Sequence, residues 1–365
     1  MKYYNLNPIL KKNAVYNIII GQRSNGKTYG LLKYAVQRYF RTGKQFAIIR
    51  RWDVDIKMKR ATAMFNSIND DGIVVKASKG DYTHIVYSTG KFYTAIYDDE
   101  LKKYIYSDDN ICGYIFSIAA MEHDKSISFP NVETIIFDEF LSSNHNYLFN
   151  EFNLFMDVVS TIVRNRDDVK IFMLGNTVDR YSPYFTNMGL NHITEQKQGT
   201  IEVYTYGDSK LTVAVEYCEN LKTSKSSNNF YFAFNNPHLQ MIKSGVWDLG
   251  LYPNKPCDFT NKDIQFIFFI IYNENIYQCE IVFIDDYNFI YIHEKTTEIK
   301  DTKRDIIYSC EYVPQLNYTQ NLLKPIYKVN QKILWYFLNN RVYYQNNSVG
   351  NAINSYIKDC KKGDF

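Results

Sequence analysis

VYNIII at 15–20, GQRSNGKT at 21–28 and YGLLKYAVQRYFRTG at 29–43 read as one unit of strand, loop and helix. Six near-continuous apolar residues suit a strand buried on both faces. Leu31, Leu32, Ala35, Val36, Tyr39 and Phe40 recur at helical spacing, and Gly43 is a natural stop. The loop between them fits G-x-x-x-x-G-K-[ST]. Its glycines let the backbone wrap a phosphate chain with N–H groups pointing inward, and the helix start adds its positive end. Lys27 supplies a point charge for β- and γ-phosphates, and the Thr28 hydroxyl suits Mg²⁺. The nucleotide-binding candidates are Gly21, Gln22, Arg23, Ser24, Asn25, Gly26, Lys27, Thr28 and the adjoining Tyr29.

Working outward, QFAIIRRW at 45–52 is the next strand, followed by a helical stretch, KMKRATAMFNSIND, that is basic at its start. Residues 73–97 alternate around turn residues and read as a hairpin or meander. VETIIFDEF at 132–140 is a buried strand ending in two carboxylates. Asp138 there can hold Mg²⁺ through its water shell, and Glu139 can orient a water for attack on a γ-phosphate. The adjacent glutamate separates additional-strand ATP hydrolases from GTPases and small-molecule kinases, and no N-K-x-D guanine motif occurs. An amphipathic helix is expected over roughly 147–164 and a strand, KIFMLGNT, over 170–177. Asn176 at that strand's end is a candidate sensor of the γ-phosphate, or simply a turn residue. Strands alternating with helices argue for a mostly parallel sheet.

Arg23, within the loop, can reach phosphate of its own chain. Arg164 and Arg166 close the helix after the carboxylate strand. They suit either a finger into a neighbouring subunit's site or the helix dipole. Beyond 192 the chain turns polar, and 192–262 reads as a linker or small subdomain. Three strands with turns at 272–275 and 285–288 then form an antiparallel meander, followed by helices near 319–339 and 348–359.

The 365 residues, 45% hydrophobic and 22% charged, exclude a largely disordered chain. The net charge of +3 hides an uneven distribution: +12 over 1–60, −14 over 61–311 and +5 over 312–365. Basic ends suit a polyanion, and Arg50, Arg51, Lys57, Lys59 and Arg60 form the densest cluster. Such side chains give salt-sensitive, sequence-independent DNA binding; a solvated helix face is the competing reading. Six cysteines lack C-x-x-C spacing, which argues against zinc or disulfides and for a reducing compartment. No secretory leader is expected from MKYYNLNPIL, and the longest apolar run, IQFIFFIIY at 264–272, is too short for a membrane span.

The strand-GQRSNGKT-helix, FAIIRRW, HDKSISFPNVETIIFDEF and IVRNRDDVKIFMLGN stretches, in this order, resemble the genome-packaging ATPases of phi29-like tailed phages. The meander FIFFIIYNENIYQCEIVFIDDYNFIYI resembles their C-terminal region. The resemblance implies an α/β chain similar to large terminases. An additional-strand P-loop NTPase domain with a mostly parallel sheet (1–195) would lead through a linker subdomain (196–260) to a smaller ribonuclease H-like domain (261–365). It further implies a homomeric ring, a pentamer, on the portal vertex of a prohead in the host cytoplasm. Such a ring drives double-stranded DNA inward with ATP and Mg²⁺, beside a packaging RNA. By that resemblance Lys27 and Thr28 take the phosphate and Mg²⁺ positions, Asp138 the Mg²⁺ carboxylate and Glu139 the catalytic glutamate. Lys125 and Arg164 match basic positions acting on the neighbour's ATP, and Tyr4 and Asn5 are candidate adenine contacts.

One departure concerns the last domain. A ribonuclease H-like nuclease needs clustered carboxylates for two metals. The strand at 264–272 carries none, Asp263 precedes it, and Asp285 and Asp286 fall in a turn, so no nuclease activity is expected. Two other readings stay open on sequence alone. One is a helicase-like additional-strand ATPase, separated by strand displacement on forked DNA. The other is a nucleotide-gated nucleic-acid scaffold, which would not need Glu139.

Overall fold

A computed structural model describes residues 4–23, 25–123, 128–142, 147–148, 150–176, 182–219, 252–285 and 287–362. The chain divides into two compact units, Met1–Asp248 and Leu249–Phe365.

In the first unit a short helix α1 (Asn7–Leu10) precedes strand β1 (Tyr16–Gly21) and helix α2 (Lys27–Thr42). Next come β2 (Gln45–Arg50) and three short helices, α3 (Met58–Ala63), α4 (Asn66–Asp70) and α5 (Ile73–Ala77). Four strands follow: β3 (His84–Ser88), β4 (Lys91–Asp98), β5 (Lys103–Ile105) and β6 (Ile111–Ser117). The carboxylate strand β7 (Val132–Asp138) leads to α6 (Glu151–Val163), β8 (Lys170–Asn176) and α7 (Pro183–Asn187). Two further strands, β9 (Thr200–Tyr206) and β10 (Leu211–Tyr217), complete the unit.

The sheet order is β3-β4-β6-β2-β7-β8-β1-β10-β9, with β5 paired to β4. From β6 through β10 every neighbouring pair is parallel, and the pairings beyond are antiparallel. Strand β8 lies between the loop strand β1 and the carboxylate strand β7, which is the additional strand expected. The apolar run of β1 is explained by its two neighbours. Ile18 and Ile20 join one core with Phe155, Val158 and Tyr184, while Ile19 joins a second with Leu31, Leu32 and Ala35. Each fully buried side chain of this kind contributes about 1.5–3 kcal/mol.

Three sequence expectations are corrected. Residues 73–77 form helix α5, so the hairpin begins only at His84. Residues 200–217 are not linker: β10 pairs with β1 along Tyr16–Ile20, its Val213, Ala214 and Val215 buried between the cores. They were hidden because β9 is an edge strand with no fully buried residue, so it carries no run of core residues. The N-terminal domain therefore extends past 195, and 252–260 belong with the second unit, where the Tyr344 N–H donates to the Pro253 carbonyl at 2.9 Å. Residues 220–251 lie outside the described residues.

In the second unit β11 (Ile264–Tyr272), β12 (Asn275–Ile284) and β13 (Tyr287–Lys295) form the expected antiparallel meander. Then come β14 (Ile307–Ser309), β15 (Tyr318–Thr319), helix α8 (Lys328–Leu338), β16 (Val342–Tyr344) and helix α9 (Asn347–Lys362). The order is β15-β14-β11-β12-β13-β16, with β14 parallel to β11 and β15 parallel to β14. That is the ribonuclease H-like arrangement with β16 added at one edge. Helix α8 starts nine residues later than the 319 expected, because β15 and a loop occupy 318–327.

Candidate nucleotide site

The C-terminal ends of β7 and β8, the loop after β1 and the start of α2 line a cleft of about 380 Å³. Parallel strands with helices on both faces leave this edge as the natural ligand position. Gly26 sits at φ +86°, a left-handed conformation that glycine adopts without a Cβ penalty, and starts α2. The Asn25 side-chain oxygen accepts the Lys27 N–H at 3.2 Å, holding the loop closed. Gln22, Arg23, Thr28 and Tyr29 follow the same turn, and Arg23 is exposed at the mouth. Ser24 lies outside the described residues.

Lys27 is 5% exposed. Its ammonium donates to the Gly21 carbonyl at 3.2 Å, the Gln22 carbonyl at 2.8 Å and Asn176 Oδ1 at 3.4 Å. Burial brings its pKa down to about 8, against the opposing field of Asp138. Opposite, Thr28 Oγ1 donates to Asp138 Oδ1 at 3.1 Å. Burial raises the Asp138 pKa, and the neighbouring Arg50 works against that.

Glu139 stands half-out of the cleft at φ +60°, a conformation that costs a non-glycine residue of order 1–3 kcal/mol. The chain folds tightly over β8 here: the Phe140 N–H donates to the Leu174 carbonyl at 3.1 Å. Gly175 makes room, since a Cβ there would lie 2.8 Å from both Leu141 Cδ1 and Phe140 Cε1.

Charge completes the fit. A buried cation and the N-terminus of a 16-residue helix suit a triphosphate. Thr28 and Asp138, a hydroxyl beside an acidic oxygen, are a hard donor set fitting Mg²⁺.

Arg50 was not expected here. It is on β2, and its guanidinium bridges Asp138 Oδ2 and Glu139 Oε2, each at 2.7 Å. Arg51 is also directed inward, 7% exposed and paired with Glu151 at 2.8 Å. Both are therefore corrected: the end of a central parallel strand aims them at carboxylates rather than at DNA. The exposed members of that cluster are Lys57, Lys59 and Arg60, the last paired with Asp55. The signal for Arg50 was its place at the C-terminal end of a buried strand.

The other candidates separate. Tyr4 donates its N–H to the Asn25 carbonyl at 3.1 Å and its hydroxyl to Glu216 at 2.5 Å, bracing the loop from outside the cleft. Asn5 accepts the Asn7 N–H at 3.1 Å and borders a separate surface depression. Arg166 is tied down, donating to the Ile162 carbonyl at 3.0 Å and the Phe129 carbonyl at 3.2 Å. That favours the helix-end role for Arg166. Arg164 is exposed at φ +50°, at the end of α6. Because α6 carries the chain from the end of β7 back to the start of the parallel β8, Arg164 lies at the sheet edge opposite its own cleft. Lys125 lies outside the described residues, as does Asp286. Among the described residues no helix is long and apolar enough to cross a membrane.

Comparison with known proteins agrees with this architecture. The model for the Podovirus DNA encapsidation protein (Gp16) matches residues 1–359. The DNA packaging proteins of Bacillus phages phi29 and PZA are each 28% identical over 189 residues, 50% of this chain and 49% of theirs. The chain thus spans about half the length of the curated relatives it matches. Among solved structures, a chain of the bacteriophage Phi-29 viral genome packaging motor assembly superposes with a TM-score of 0.62 at 22% identity, covering 98% of this chain and 99% of that one. The Phi-28 gp11 DNA packaging motor gives 0.57 at 15% identity, over 98% of each chain. At these identities the structural likeness concerns the fold. The match over nearly the whole length assigns the family: this chain belongs to the Podovirus DNA encapsidation proteins (Gp16).

Proposed function

We propose that this protein hydrolyses ATP to drive double-stranded DNA into a viral prohead, working as a ring, a pentamer, at the portal vertex. The observation that carries the reading is that Lys27, Thr28, Asp138 and Glu139 line one cleft, with Thr28 bonded to Asp138, in a family of DNA encapsidation proteins. The DNA, the portal protein and a packaging RNA are the partners this reading requires. The helicase-like and scaffold alternatives lack a comparable observation.

The chemistry follows from the side chains. Lys27 would exchange its carbonyl partners for phosphate oxygens, and the loop N–H groups would cradle the chain. Mg²⁺ held by Thr28 and Asp138 would neutralise charge on the β- and γ-phosphates. Glu139 would accept a proton from a water as its oxygen attacks the γ-phosphorus and the bond to the bridging oxygen breaks. Arg50 holds Glu139 Oε2, which leaves Oε1 as the oxygen to accept from that water. Asn176 stands beside Lys27, where it can sense the γ-phosphate.

Arg164 is suited to a neighbour's site and not to its own, because the two lie at opposite ends of the sheet. Lys57, Lys59 and Arg60 would contact DNA phosphates without regard to sequence. β11 and β14, side by side in the second unit, carry no carboxylate, so that unit would bind or couple rather than cut. Incubation with plasmid and Mg²⁺ or Mn²⁺ should leave DNA intact; cleavage abolished by Asp285→Ala would refute this. The ATPase reading is tested by steady-state hydrolysis with proheads and DNA present. Wild type should turn over, and Glu139→Gln should bind ATP and stall; equal rates in the two would remove Glu139 from its role.

A further inference from the structure

Arg51 is a charged residue that neither phosphate chemistry nor DNA contact absorbs. Its Nε donates to both oxygens of Glu151, at 2.8 and 2.9 Å. Nη1 reaches the Glu139 carbonyl at 3.2 Å and Nη2 the Phe140 carbonyl at 2.6 Å. The guanidinium also lies over the Tyr147 ring, 5.0 Å from its centre. Glu151, 1% exposed, accepts in addition the Tyr184 hydroxyl at 2.6 Å and the Leu148 N–H at 2.7 Å. Burial disfavours the Arg51 charge, yet the hydrogen bonds and field of Glu151 outweigh it and raise its pKa.

Stability is a weak reason for such a pair. Buried ion pairs give back most of what their desolvation costs, and apolar replacements are often neutral. What is specific is the pair of carbonyls. They belong to Glu139, whose positive φ persists only where the surroundings over-determine it, and to the residue after it. The network draws together the end of β2, the turn after β7, the start of α6 and α7 beyond β8. Each of these segments borders the cleft or follows a strand that does.

We propose that Arg51, held by Glu151, is a positioning residue that fixes the Glu139–Phe140 backbone and so aims the Glu139 carboxylate at the nucleotide. The proposal rests on the reading of Glu139 given above. Lysine cannot substitute, because one ammonium does not span a carboxylate and two carbonyls as a planar fork does.

The test uses the full chain with proheads and DNA. Two variants are compared with wild type: Arg51→Lys, and the double variant Arg51→Met/Glu151→Leu, which removes both charges at similar volume. Arg51→Lys should lower kcat for ATP about 10- to 100-fold while KM stays within about threefold, the split expected when aim is lost and binding is kept. The double variant leaves the Tyr184 hydroxyl and the Leu148 N–H without their acceptor, so it should melt below wild type while staying folded, and remain slow. Amide hydrogen exchange over 139–141 should rise at least about tenfold in the double variant, with β1 and β8 protected as before. Wild-type turnover in the double variant would overturn the proposal, and so would unchanged exchange at 139–141. If wild type itself hydrolyses no ATP, the proposed function fails, and the exchange measurement alone still decides whether Arg51 holds this segment.

Discussion

Lys27 makes nucleotide affinity depend on pH in a range where an ordinary lysine would not. Burial brings its pKa down to about 8 from 10.5 in the free protein. Bound phosphates favour the charged form, so the complex keeps the proton. The sign follows: as pH rises through 8, the free protein loses a proton that binding must restore, and affinity falls. With about 90% of Lys27 charged at pH 7 and about 10% at pH 9, affinity should drop about tenfold, or ~1.4 kcal/mol. Cys218, the nearest thiol, is pushed up to about 12 by burial and stays neutral over this range. The Tyr4 hydroxyl is raised further still. Asp138, Glu139, Arg23 and Arg50 also line or border the cleft, so a control is needed. Lys27→Arg carries a charge that does not titrate, and any slope it retains belongs to the other groups. The assay is calorimetric titration of a non-hydrolysable ATP analogue with excess Mg²⁺, from pH 6.5 to 9.5. Parallel profiles for wild type and Lys27→Arg would refute the buried-cation account.

Other perturbations read other parts of the structure. Gly175→Ala should cost about 1–3 kcal/mol in a denaturant melt, because its Cβ would press on buried Leu141 and Phe140 at 2.8 Å; an unchanged midpoint would show the turn to be looser than described. Arg164→Ala should lower turnover in the assembled ring by about 10³ while ATP binding is retained; wild-type rates would exclude Arg164 from the neighbour's site. The half-buried pair His293–Glu280, at 3.2 Å, sets a pH window in the second unit. The hydrogen bond to Glu280 raises His293 from 6.5, so its contribution is full below that value and is lost as pH rises through the raised pKa. Glu280, lowered from 4.5 because bonds from His293 and Gln278 outweigh burial, contributes above that value and loses its contribution as pH falls through the lowered pKa. Hydrogen-exchange protection of β12 and β13 should therefore peak between about 4.5 and 6.5, and Glu280→Gln should flatten the peak.

The nucleotide loop was legible because its physics is local: strand, glycine turn, lysine and helix are contiguous, and each residue type has one job. Asp138 and Glu139 were legible for the same reason, as carboxylates at the end of an apolar run. Arg50 and Arg51 were not. In sequence they are two charges beside three more, and only the sheet brings β2 alongside β7, setting them against acids 88 and 100 residues away. Strands β9 and β10 were missed because β9 is an edge strand with no fully buried residue, although its partner β10 is buried against β1. The order of β11 to β13 was readable from two turns, whereas the parallel additions of β14, β15 and β16 depend on non-local pairing.

The central claim is that ATP turnover at Glu139 moves DNA. The measurement is the amount of DNase-protected DNA formed by wild type and Glu139→Gln with proheads, portal, packaging RNA and ATP. The account predicts protected DNA with wild type and ATP, and none with Glu139→Gln despite bound nucleotide. Hydrolysis by wild type without protected DNA, or protection that persists in Glu139→Gln, would contradict it.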